Sequence, residues 1–315
     1  MNKLEVRDLN ITFGQKIAVD NVSFELQAGE IVGLVGESGC GKSLTAYSIL
    51  GITPPGAELK GEVIYDGVDL LKIDHESRRK IRGNKISLIP QDPLSALNPV
   101  FSIGDQIAEV AEVHKNVPHL KAAEMAKSAL ESINIADAAN RLNDYPHQFS
   151  GGMKQRALIA MAMVAEPDIL IADEPTTALD VTIQLQILQI MKDLKNKSKA
   201  ILLITHDLAQ VAEICDRVFV MYLGRIVESA GTKEIFTNPK HPYTIGLLNS
   251  LPDEKKHTLN PIPGQPPTID LIPPGCSFHP RCSQVFDKCR NSKPDLCEVK
   301  DRKLHYSRCF LETTG

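Results

Sequence analysis

Gly36-Glu37-Ser38-Gly39-Cys40-Gly41-Lys42-Ser43 has the residue types and spacing to hold a polyphosphate. Its glycines let successive backbone N–H groups turn inward around phosphate oxygens. An apolar run, Ile31 to Val35, leads into it, and a helix-like stretch, Leu44 to Leu50, follows. That is the strand–loop–helix context of a phosphate-binding P-loop. The helix start adds free N–H groups and the positive end of its dipole. In such a loop Lys42 reaches the β- and γ-phosphates and Ser43 holds Mg²⁺. A Gly-rich turn between strand and helix has the same local pattern, so the rest of the chain decides.

Three further polar positions follow short apolar runs. Lys85 to Pro90 ends at Gln91, Asp168 to Ala172 ends at Asp173-Glu174, and Ala200 to Thr205 ends at His206. Buried strands alternating with helices predict an α/β fold with a largely parallel sheet, and ligands in such sheets collect at the carboxyl ends of strands. Hydrolysis of a γ-phosphate needs positioning and charge neutralisation more than covalent chemistry. Asp173 is placed to hold Mg²⁺ directly or through water, and Glu174 to orient or deprotonate the attacking water. His206 could contact the γ-phosphate, and Gln91 could ligate Mg²⁺ or the water. Phe13 either stacks on the nucleotide base or is a core aromatic.

The elements that must position these groups read as follows. Leu4 to Phe13 alternate loosely, like an edge strand, Val22 to Leu26 reads as a second strand, and Gly61 to Gly67 is a strand and turn. From Phe101 to Leu142 apolar residues recur at helical spacing, at Ile103, Ile107, Val110 and Ala111 and again at Ala122, Met125, Ala126 and Ala129. This predicts a helical insertion at about 93–149. Ser150 to Arg156 opens another helix, and Val181 to Asn196 is amphipathic. Asn249 to Gly275 is rich in proline and polar residues and reads as a linker or extended wrap.

Bulk properties narrow the class. The chain has 315 residues, 43% hydrophobic and 23% charged, with net charge −4. The charge argues against a broad nucleic-acid-binding face. No apolar run reaches the ~18 residues of a membrane span, and Met1 to Asp8 is too polar for a signal peptide, so the expectation is a cytosolic chain. Five of the seven cysteines, Cys276, Cys282, Cys289, Cys297 and Cys309, lie in the tail. In a reducing compartment that suggests a metal or catalysis before disulfides. Four thiolates suit a [4Fe–4S] cluster or a structural zinc, and the spacing alone does not separate iron, zinc and no metal.

With these residues in hand, the sequence resembles the ATP-binding subunits of ABC transporters. The P-loop, Gln91, the signature Phe149-Ser150-Gly151-Gly152-Met153-Lys154-Gln155, Asp173-Glu174, Ala178-Leu179-Asp180 and His206 match that family's motifs in order. The resemblance implies a P-loop ABC ATPase core with an antiparallel β subdomain, a helical subdomain and a cysteine-rich C-terminal extension. The implied boundaries are 1–248 for the ATP-binding domain and 249–315 for the extension. It also implies that Leu44 and Gln155 join the nucleotide site. Two subunits would work head to tail, with Ser150, Gly151 and Gly152 of one covering the γ-phosphate held by the other and Asp180 at the seam.

Gln91-Asp92-Pro93 with Ala96 to Pro99, Asn238 to Thr244, and Gly275 to Cys282 resemble the dipeptide, oligopeptide and nickel importer ATPases. That resemblance implies two membrane permeases, an extracytoplasmic substrate-binding protein, a second and often non-identical ATPase, no nucleic acid, and a place on the cytoplasmic face of the cell membrane. It also implies iron–sulfur ligation by Cys276, Cys282, Cys289 and Cys309, with Cys297 outside the pattern. The expected function is ATP-driven import of dipeptides or oligopeptides, nickel or another small solute being the alternative cargo. A soluble ATPase acting on DNA or the ribosome would carry a coiled-coil run or a second cassette, and neither is present. Glu174 and His206 argue against a module that only binds nucleotide, and the cysteine tail disfavours an exporter.

Overall fold

The computed structural model describes residues 2–251 and 262–313. The predicted linker at 249–275 therefore falls partly outside the described residues. The chain divides into two compact units. One consists mainly of Lys72–Leu203 with Leu26–Glu30; the other is built from Leu4–Glu25, Ile31–Leu71 and Ile204–Gly315.

The second unit contains most of an antiparallel sheet in which Lys16–Gln27, Asn2–Phe13, Ala57–Tyr65 and Val68–Asp69 lie in that order. Leu4 pairs with Tyr65 and Phe13 with Ala57, and the register shifts between Arg7 and Asn10. A shift of one residue carries side chains to the other face. Hence Leu4 and Val6 are buried before it and Leu9 and Ile11 after it. Asp8 has φ 46° there. Across the pair, a Cβ on Gly61 would lie 2.5 Å from the Asp8 carbonyl oxygen, so this bulge requires glycine.

In the same unit Ile31–Val35 runs parallel to Arg217–Tyr222, which pairs antiparallel with Arg225–Gly231. The tail continues this ladder with Tyr306–Ser307 and then Cys297–Glu298. All five residues of Ile31–Val35 are buried, as a parallel strand covered on both faces requires. Val35, Val211, Val218, Val220, Tyr222, Tyr243 and Phe278 share one core, so apolar residues of the tail pack with those of the P-loop strand.

In the first unit Ile86–Ile89 pairs parallel with Ile169–Asp173, next to Ala200–Thr205. The predicted insertion is helical, chiefly at Ile103–Lys115 and His119–Ser132. Ile103, Ile107, Ala108 and Ala111 are buried on the first helix, and Ala122, Ala126 and Leu130 on the second. Ser102 caps the first by accepting from the Asp105 N–H, and Asn116 ends it in the left-handed region. Gly151–Met163 and Val181–Asn196 are the other long helices of this unit. Among the described residues no helix is long and apolar enough to cross a membrane.

Candidate active site

The P-loop turns on three left-handed glycines. Gly36, Gly39 and Gly41 have φ of 155°, 78° and 103°. A Cβ on Gly36 would meet the Met221 carbonyl oxygen at 2.2 Å and one on Gly41 the Ala18 carbonyl oxygen at 3.3 Å. At Gly36 a side chain is excluded by space as well as by conformation, at Gly41 it would be tight, and at Gly39 only the conformation calls for glycine. Ser38 and Gly39 are exposed at its tip, and Ser43 and Leu44 are half-buried in the first turn of the helix Lys42–Ile49. Lys42 is 5% exposed, with Nζ donating to the carbonyls of Gly36 at 2.8 Å and Glu37 at 2.9 Å. The lysine is folded along its own loop. Cys40 is buried, and burial pushes its thiol pKa up, so it is a packing residue rather than a nucleophile.

His206 follows Ala200–Thr205 and is exposed. The next residue, Asp207, caps the helix Leu208–Ile214 by accepting from the Ala209 N–H. Phe13, the last residue of its strand, is half-buried and outside the fully buried core.

In the other unit, parallel neighbouring strands bring two predicted residues together. Gln91 Nε2 donates to Glu174 Oε2 at 3.0 Å, and Thr177 Oγ1 donates to the same oxygen at 3.0 Å. Glu174 has φ 46°, a conformation that costs a non-glycine residue about 1–3 kcal/mol and that collects at functional sites. Asp173, 1% exposed, ends the strand beside it. Its carboxylate and the Ser43 hydroxyl are hard oxygen donors of the kind Mg²⁺ takes.

Ser150 caps the helix Gly151–Met163 by accepting from the Met153 N–H. Ser150 and Gly151 are exposed, whereas Gly152 is buried. This is an uncovered helix N-terminus with small residues, able to face an anion. Gln155, expected at the nucleotide site, is 2% exposed. Asp180 is exposed and caps Val181–Asn196 by accepting from the Ile183 N–H at 3.0 Å.

The tail gathers four of its cysteines. Cys276, Cys282, Cys289 and Cys309 line one narrow cavity with His241 and Phe278, while Cys297 sits in its short strand. Burial raises the thiol pKa values of Cys276 and Cys282 and pushes Cys309 up to about 12, neighbouring thiols adding to it. Among the described residues no three His, Cys, Asp or Glu side chains are drawn together tightly enough to hold a metal ion. A single zinc, with every sulfur at about 2.3 Å, would therefore need the thiols to close in.

Two arrangements escape the sequence reading. Glu37 of the P-loop is bound by Arg281 and Tyr243. Glu228, wholly buried, accepts from the N–H groups of Lys240 and His241 and pairs with His305 Nε2 at 2.8 Å. Both link residues far apart in the chain and leave no local pattern.

The chain is similar to known proteins. Residues 19–177 match the ABC transporter family and residues 227–289 the oligopeptide/dipeptide transporter C-terminal region. The chain is 44% identical to the oligopeptide transport ATP-binding protein OppD of Escherichia coli, over 98% of this chain and 92% of that one. It is 47% identical to AppD of Bacillus subtilis, also an oligopeptide transport ATP-binding protein, over 98% and 96%. Among solved structures it resembles CbiO1 of Clostridium perfringens, part of the ABC transporter complex CbiONQ, with TM-score 0.66, 27% identity, and 75% and 91% of the two chains covered. A dimeric ATP-binding cassette in a post-hydrolysis state with ADP and Pi gives TM-score 0.65, 25% identity and coverage of 73% and 98%. With its P-loop, its acidic strand end and its capped signature helix, the chain belongs to the ATP-binding subunits of ABC transporters, in the group that carries the oligopeptide/dipeptide transporter C-terminal region.

Proposed function

We propose that this chain hydrolyses ATP to ADP and phosphate and that turnover drives import of dipeptides or oligopeptides through two partner permeases. The observation that carries the hydrolytic reading is the Gln91–Glu174 hydrogen bond. It fixes a carboxylate at a strand end, beside a second carboxylate, in the arrangement a water-positioning residue needs. Lys42 and the loop amides neutralise phosphate charge, and His206 contacts the γ-phosphate. Ser43, Asp173 and Gln91 would hold Mg²⁺, which neutralises charge on the phosphate oxygens. Phe13 stacks on the base; its partial exposure supports this over a core role.

Each site is completed by a second ATPase, identical or not. Its Ser150, Gly151 and Gly152 cover the γ-phosphate, and Asp180 lies at the seam. Closure on ATP and reopening after hydrolysis pass to the permeases through the helical region at about 93–149. The domain division is 1–248 and 249–315, and the chain works at the cytoplasmic face of the membrane with an extracytoplasmic substrate-binding protein. The names of the relatives support the peptide cargo over nickel. E174Q should bind Mg–ATP yet lose at least about 100-fold in turnover, the range of a lost general base. Unchanged turnover would remove Glu174 from the chemistry.

The C-terminal extension holds a [4Fe–4S] cluster through Cys276, Cys282, Cys289 and Cys309. The shared cavity supports this set, and a cubane tolerates wider sulfur separation than a single ion. The cluster would cross-link a segment with few apolar residues. Because buried thiols must lose protons to ligate, loading should fall as pH falls. Anaerobic iron, sulfide and zinc analysis should give about four irons and four sulfides per chain, lost in C282S or C309S and kept in C297S. One zinc and no iron would overturn the cluster.

A further inference from the structure

Two side chains from the C-terminal part of the chain grip one residue of the P-loop. Arg281 donates from Nη1 to Glu37 Oε2 at 2.6 Å and from Nη2 to Glu37 Oε1 at 2.9 Å. The Glu37 N–H donates to Tyr243 Oη at 2.9 Å. Arg281 is itself anchored, with Nε donating to the Pro263 carbonyl at 3.0 Å and Nη2 to that of Gly264 at 3.2 Å. Its guanidinium lies 5.9 Å from the centre of the Tyr222 ring. Tyr222 and Tyr243 are packed together, with ring centres 4.6 Å apart, and both touch Phe278. Arg281 is only 8% exposed. An exposed ion pair would contribute little, but a shielded, two-pronged Arg–carboxylate pair with its own support is a fixed joint.

Charge gives this joint a consequence. Glu37 places a carboxylate in a loop whose amides are arranged for an anion. Left alone it would repel the phosphates and free the loop. We propose that Arg281 is a positioning residue for the nucleotide site: by neutralising and holding Glu37 it keeps the loop in its phosphate-binding form. The inference rests on the reading of Gly36–Ser43 as a nucleotide loop. Arg281 acts through Glu37 and does not touch the nucleotide. It lies between Cys276 and Cys282 in the chain, so whatever fixes those thiols also fixes Arg281.

The test uses the full chain and Mg–ATP, comparing wild type, R281A, R281K, E37Q and the E37Q/R281A double variant. Calorimetric affinity, steady-state ATPase kinetics and a thermal melt are recorded for each. R281A should raise the Kd and KM for Mg–ATP by about tenfold or more, while kcat stays within about threefold, as expected for a lost charged hydrogen-bonded pair. R281K, with charge but no planar fork, should fall between. The double variant should bind more tightly than R281A, because the repelling carboxylate has gone. Wild-type affinity in R281A would overturn the proposal. So would a double variant no better than R281A, which would make Arg281 a packing residue. If the wild type itself binds no Mg–ATP, the nucleotide reading of the loop falls first.

Discussion

Gln91 and Glu174 stand 83 positions apart in the chain and meet at 3.0 Å. Their strands, Ile86–Ile89 and Ile169–Asp173, run parallel and adjacent, so the polar residues that end both runs arrive on the same edge. Thr177 shares the load on Glu174 Oε2. Removing the Gln91 amide takes away one of these two donors. Q91A should therefore lower kcat for ATP by about tenfold or more, since a hydrogen bond to a charged group contributes about 1.5–3 kcal/mol, and any accompanying rise in KM for Mg–ATP reads the Mg²⁺ contact proposed for Gln91. Steady-state kinetics decide the matter, and an unaltered kcat would remove Gln91 from the positioning of Glu174.

The two signature glycines should separate folding from turnover. A Cβ on Gly152 would lie 2.7 Å from Ile183 Cγ2, whereas one on Gly151 would meet its nearest neighbour, Leu179 Cδ2, at an ordinary 3.6 Å. G152A must push the Val181–Asn196 helix or rotate Ile183, and overpacking of this kind costs about 1–3 kcal/mol. G151A should leave stability within about 0.5 kcal/mol, as an exposed substitution does. Gly151 is nevertheless the exposed member of the pair and the one free to approach a partner's phosphate. ATPase activity of G151A should fall although its melt is unchanged. Equal melting temperatures for the two variants would contradict the packing argument, and full activity in G151A would contradict the partner-facing one.

What the sequence makes legible follows from how far apart the participants lie. Ile31–Val35, Ile169–Asp173 and Ala200–Thr205 are continuous apolar runs, each ending at a glycine, an acid pair or a histidine, and every one is a buried strand. Their ends can be read because strand and functional residue are contiguous. The first strand reads as only loosely alternating because the register slips between Arg7 and Asn10, and nothing local announces a bulge whose glycine, Gly61, sits on the partner strand. Gln155 matches a motif by position, and its burial behind the first residues of its helix is not something the motif announces. Arg281 is visible within a short motif of the tail; its partner lies 244 residues earlier, and no spacing rule connects them.

The buried polar cluster of the tail should make stability fall in mild acid. His241 is 1% exposed, and burial holds its imidazole pKa down at about 4 against an ordinary 6.5. The nearby Glu228 carboxylate pulls the other way, while the Arg308 charge adds to the depression and its backbone hydrogen bond opposes it. The Nδ1 atom accepts from the Tyr243 N–H at 3.1 Å, so the neutral ring also caps the helix Pro242–Asn249. The folded state thus prefers the uncharged ring. Above pH 6.5 that preference costs nothing, because the unfolded chain is neutral there too. Between about 6.5 and 4 the unfolded chain takes up a proton that the folded one refuses, and stability is lost as pH falls, by on the order of 3 kcal/mol at most. H241N keeps an acceptor for the Tyr243 N–H but cannot titrate. Its melting temperature should decline less steeply than that of the wild type from pH 7 to pH 4.5, and parallel curves would place the acid sensitivity elsewhere.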